Sequence, residues 1–113
     1  MFIAISLLLT AVCLVPAAGK LLNHPKMLES AARFGISWRR YRLIGFAELA
    51  AAAGILAGIA LRPLGVAAAS GMAVLAIGAL VVHRRAGDRL QEAAPALLAL
   101  GVSIAYFVVA HYG

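Results

Sequence analysis

Charge is what this sequence has least of. Only 12% of its 113 residues are Asp, Glu, Lys or Arg, against about a quarter in an ordinary soluble domain. Acidic residues are scarcer still, four against ten basic ones. A soluble fold this short needs polar side chains over most of its exterior, and this chain cannot supply them. Soluble globular, disordered and nucleic-acid-binding classes are therefore poor fits. Cysteine occurs once, at Cys13, so an intramolecular disulfide is impossible, and no CxxC or Cys/His spacing suggests a metal site. Cys13 reads as a small buried apolar residue. Haem-attachment and nucleotide-loop motifs are missing too, which leaves self-contained redox chemistry unsupported.

What is present is apolar: 65% of the residues, with a mean hydropathy of +1.01. A helix crossing about 30 Å of hydrocarbon needs about 20 such residues, and four stretches qualify. They run over about 1–22, 43–61, 64–82 and 93–110. A transmembrane β-barrel would alternate polar and apolar positions, which these runs do not. The expectation is an all-α integral membrane protein, a single domain over 1–113 built as a four-transmembrane-helix bundle. Val15-Pro16-Ala17-Ala18 offers the small residues of a signal-peptidase site, but no Lys or Arg precedes the first apolar run, so that run is expected to stay as a span. Pro16 then acts as a tolerated kink that frees the carbonyl of Val12.

The basic residues divide nine to one between the two sides. Lys20, Lys26, Arg33, Arg39, Arg40 and Arg42 flank or fill the first loop, Arg84, Arg85 and Arg89 the third, and only Arg62 lies in the second. The positive-inside rule places loops one and three in the cytoplasm and both termini outside. The positive balance is thus a topology signal, with attraction to anionic lipid headgroups, rather than a sign of nucleic acid.

Within the first loop, Asn23-His24-Pro25 reads as a helix start and Gly35 as its stop. Met27, Leu28, Ala31 and Phe34 recur at helical spacing opposite Lys26, Glu29, Ser30 and Arg33. A helix of about ten residues is too short to span and suits the interfacial plane as a lid or anchor. Trp38 and Tyr41 read as interface anchors where the chain re-enters the membrane. Small residues at helical spacing, Gly54 with Gly58, Ala67 with Gly71, and Gly101 with Ala105, are expected to let helices approach closely. They serve packing within one bundle or a homodimer.

One carboxylate has no part in setting topology. Glu48 lies about 8 Å inside the second span, where it must be paired, protonated or turned to the bundle interior. Gly45, one turn earlier, leaves room beside it for a helix or a ligand. Lys20 and His83 end the first and third spans on the same side, so topology alone brings Lys20, Glu48 and His83 toward one leaflet. That cluster reads either as a structural lock or as a polar, protonatable pocket. Ser103 and Tyr106 lie too far along the fourth span to join it and are expected to bond between helices.

The residues around this cluster carry a resemblance. Ala18-Gly19-Lys20-Leu21, Phe34-Gly35-Ile36, Leu43-Ile44-Gly45-Phe46-Ala47-Glu48, Pro63-Leu64-Gly65 and Val81-Val82-His83-Arg84, in this order and spacing, resemble the DoxX-like family of small four-helix bacterial membrane proteins. The resemblance covers almost the whole chain and implies Lys20, Gly45, Glu48 and His83 as the family's polar positions. It also implies an inner-membrane location and a range of roles. These include a membrane subunit of a thiosulfate:quinone oxidoreductase, quinone or catechol resistance, redox-stress complexes and assistance to receptor assembly. The expectation is a binding or accessory subunit, not an enzyme on its own, with no covalent cofactor and with a quinone or lipid as the ligand. Its partners would be the bilayer, a second copy or a redox protein of the membrane. The alternatives are a small proton-coupled transporter, against which the absence of a glutamate in the first span and the strong charge bias both count, and an assembly chaperone or scaffold.

Overall fold

The computed structural model describes residues 1–112. Among them the chain forms five α-helices and no strand: α1 (Phe2–Leu21), α2 (Pro25–Phe34), α3 (Trp38–Ala57), α4 (Arg62–Arg85) and α5 (Leu90–Tyr112). The four long helices close a ring in which α1 packs on α3 and α5, and α4 on α3 and α5. The short α2 lies across one end, touching α1, α3 and α4. The whole measures 40 × 25 × 17 Å.

The core follows the helical period. On α1 the buried positions are Ser6, Leu9, Thr10, Cys13, Ala17 and Lys20. On α3 they are Tyr41, Gly45, Glu48, Ala51, Ala52 and Ile55. Large apolar side chains such as Leu8, Leu43, Val74, Ile77, Leu98 and Ile104 point outward instead, the inverse of a soluble core and the arrangement a lipid solvent favours. The buried hydroxyls of α1 are satisfied within the helix: Ser6 donates to the Phe2 carbonyl and Thr10 to the Ser6 carbonyl.

Three helices, α1, α4 and α5, are long and apolar enough to cross a membrane. The second expected span differs. It begins at Trp38 rather than near Leu43 and ends at Ala57, so Arg39, Arg40, Arg42 and Glu48 all fall inside one 20-residue helix. The reason is local. Ser37 caps the helix N-terminus with its hydroxyl on the Arg40 amide at 3.3 Å, which starts the helix before the apolar stretch does.

The α2 boundaries are those the sequence implies. His24 caps the N-terminus, Pro25 occupies the first turn, and Gly35 ends the helix in the left-handed region at φ 70°. The amides of Gly35 and Ile36 return to the carbonyls of Ala32 and Ala31, a Schellman stop. Asn23, before the helix, is also left-handed at φ 58°. The same stop recurs after α4. Gly87 takes φ 72°, its amide bonds to the Arg84 carbonyl, and the Asp88 amide bonds to the His83 carbonyl.

Glycines of the expected packing set divide into two groups. A Cβ on Gly54 would lie 2.6 Å from that of Ala68, and one on Gly58 would run into the Gly65 backbone, so these two seat α3 against α4. Gly71 and Gly101 are exposed, with nothing within 4 Å of an added Cβ, so neither makes a contact inside the bundle.

Candidate functional site

The buried pair is built from two facing helices. Lys20, in the last turn of α1, extends its ammonium to Glu48 on α3, with 2.7 Å between Nζ and Oε1. Both residues are nearly sealed, 7% and 5% exposed. Their approach depends on Gly45. A Cβ there would sit 2.9 Å from the Cβ of Lys20, so the missing side chain is the space through which the lysine stem passes. The space expected beside Glu48 is therefore occupied by Lys20 itself.

Tyr41 completes the site. Its ring centroid lies 5.0 Å from the Lys20 ammonium, a favourable placement of a cation over a π face. Its hydroxyl reaches Met27 Sδ of α2 at 3.9 Å. Met27 also packs on α1, where a Cβ on Gly19 would touch its methyl at 3.0 Å. Tyr41 is thus buried within the polar site. Trp38 stays half-buried, stacks near Tyr41 at 5.8 Å between centroids, and donates from Nε1 to Asn23 Oδ1 at 3.1 Å.

His83 joins a second cluster. Its Nδ1 lies 2.5 Å from a carboxylate oxygen of Asp88, and Phe34 of α2 meets its ring edge-on at 5.1 Å. Arg33 of α2 spans two acids at 3.0 Å each, Asp88 through Nη2 and Glu92 through Nη1. Burial alone would raise the Asp88 pKa. The His83 hydrogen bond and the Arg33 guanidinium more than offset it and hold the carboxyl below its ordinary value of 3.8. Asp88, Glu92 and Arg33 were not among the expected site residues. The available signal was Gly87: a C-terminal glycine four residues after His83 turns the next residue back onto that histidine.

Ser103 and Tyr106 do not bond between helices. Ser103 bonds back to Ala99 of its own helix at 2.7 Å. The Tyr106 ring packs beside Phe2 at 5.4 Å, and its hydroxyl rests where a Gly65 side chain would be. At this same end Arg62 donates to the Ala110 carbonyl at 2.9 Å and lies 4.3 Å over the Phe2 ring.

A bundle of long apolar helices that turns its leucines outward and encloses a charged pair defines a small helical membrane protein. More particularly, the chain belongs to the DoxX-like family, whose model matches residues 4–105. Comparison with curated proteins and with solved structures returned no match.

Proposed function

We propose that the chain is a non-catalytic subunit or binding protein of the bacterial inner membrane, and that the Lys20–Glu48 pair receives the polar head of a quinone-like molecule. The observation that carries this reading is the pair itself, an ammonium and a carboxylate 2.7 Å apart among membrane helices. Small residues and van der Waals contact hold helices together at lower cost, so a sealed charge pair argues for a further use.

The chemistry suits a quinone and its quinol. An ammonium has three donors and an ionised carboxylate only acceptors. A quinone carbonyl accepts from Lys20, and a quinol hydroxyl donates to Glu48. In this reading α3 is the fourth span, its three early arginines lying at the headgroup level. Loops one and three are cytoplasmic and both termini are outside. The ligand head then sits in the cytoplasmic leaflet. Binding is favoured over proton-coupled transport because the first span carries no glutamate and the basic residues are strongly biased to one side.

Solvent extraction of protein purified with its native lipids tests the reading. Wild-type protein should release a quinone near stoichiometric amount, and Glu48→Gln and Lys20→Met should each retain at least about tenfold less, corresponding to 1.4 kcal/mol of binding. Wild-type protein free of quinone would overturn it.

A further inference from the structure

We infer that α2 is a cover over the Lys20–Glu48 pair and that Arg33 is the clasp that holds it shut. The cover is attached on two sides by contacts of different kinds. On one side Met27 packs on Gly19 and meets the hydroxyl of Tyr41, whose ring lies beneath the Lys20 ammonium. This contact seats α2 against Gly19, next to Lys20 in the chain, and against Tyr41, the residue that touches the Lys20 ammonium. On the other side Arg33 reaches Asp88 and Glu92, which belong to the α4–α5 turn and the start of α5, some sixty residues further along the chain. Phe34 adds an edge-on contact with His83.

Two left-handed residues, Asn23 and Gly35, bracket the helix. The chain therefore changes direction at a single residue on each side of it, and α2 forms no continuous helix with α1 or α3. Its seat is decided by side-chain contacts. Among these the Arg33 contacts are the most readily broken. Arg33 is 46% exposed on its side chain, against 4% for Asp88. A hollow of about 560 Å³ lined by Lys26, Glu29, Ser30, Arg33 and Glu92 opens beside it, so ions reach the guanidinium. Ion pairs of this exposure hold weakly and are screened by salt. A clasp needs that property; the sealed Lys20–Glu48 pair lacks it.

The inference rests on reading that pair as the functional site, but its test uses no ligand. Loss of bound quinone would leave the clasp standing, and failure of the clasp would leave the quinone reading standing. Amide hydrogen exchange is measured on the full chain in lipid nanodiscs, together with acylation of Lys20 by a water-soluble amine reagent, using exposed Lys26 as the internal reference. In Arg33→Ala, the α2 amides should exchange roughly tenfold faster while those of α1 and α3 keep wild-type rates, and Lys20 should become reactive. Arg33→Lys should keep most of the protection, and salt near 1 M should reproduce part of the Arg33→Ala effect in the wild type. Unchanged α2 exchange would overturn the clasp. So would acceleration of all helices together, which would make Arg33 a general stabiliser. Faster α2 exchange with Lys20 still unreactive would overturn the cover.

Discussion

His83 and Asp88 bond to each other twice across the turn from α4 to α5: the Asp88 amide donates to the His83 carbonyl at 3.0 Å, and the Asp88 carboxylate meets His83 Nδ1 at 2.5 Å. The backbone bond belongs to the glycine stop at Gly87, and it delivers the carboxylate to the imidazole. From there the carboxylate also meets Arg33, with Glu92 as the guanidinium's second acceptor.

This cluster makes the seat of α2 sensitive to acid. The Asp88 carboxyl is held below its ordinary value in the folded protein. Its contribution to stability is therefore fully present above the unfolded value and is lost as pH falls through the lower folded one. The α2 amides should keep their protection from neutral pH down to about pH 4, then lose it below. In Asp88→Asn the protection should be weaker at neutral pH and nearly flat across the acid range. An unchanged acid transition in that variant would assign the effect to another carboxylate.

Breaking the buried pair from one side should cost more than removing it whole. Lys20→Met leaves an uncompensated carboxylate and should destabilise the bundle by about 3–5 kcal/mol. Lys20→Met combined with Glu48→Leu should recover most of that loss, because two apolar side chains need no partner. Equilibrium unfolding in mixed micelles measures both. A double variant as unstable as the single one would show that the carboxylate is not the source of the cost.

Glycine substitutions should separate by location. Gly45→Ala pushes on the Cβ of Lys20, an atom tied closely to the α1 backbone, and should cost about 1–3 kcal/mol. Gly58→Ala meets backbone and should cost at least as much. Gly71→Ala and Gly101→Ala enter open space on helices, and should gain up to about 1 kcal/mol from propensity. Thermal unfolding of the four variants provides the comparison. A destabilising Gly71→Ala or Gly101→Ala would point to a contact with a second molecule at that face.

Arg62 should act on the opposite end of the bundle. Its guanidinium closes the last turn of α5 through Ala110 and covers Phe2 of α1. Arg62→Ala should cost about 1–2 kcal/mol through the lost hydrogen bond and cation–π contact. Hydrogen exchange should accelerate in the final turn of α5 and the first of α1, with α2 unaffected.

Much of this architecture was legible in the residues. Apolar length marks the long helices, and Pro25 with Gly35 marks α2. Lys20, Glu48 and His83 are legible as one cluster because a charge among apolar neighbours needs a partner, but their spacing does not say which cation Glu48 meets. His83 was the harder case. Helix polarity places it at the same end as Glu48, but it cannot reveal that a two-residue turn returns Asp88 to it. Arg33 is equally silent in the sequence, since its partners lie 55 and 59 residues away. Contacts made within one helical period can be read from spacing, whereas contacts made by loop closure cannot.

Lys20 also precedes Glu48 in the chain, and that order bears on biogenesis. A lone carboxylate disfavours transfer of a helix into lipid. When α3 leaves the ribosome, α1 has already been made and carries the cation that neutralises Glu48. The order of synthesis thus supplies the cation before the carboxylate that needs it, so Glu48 meets its partner as soon as α3 forms.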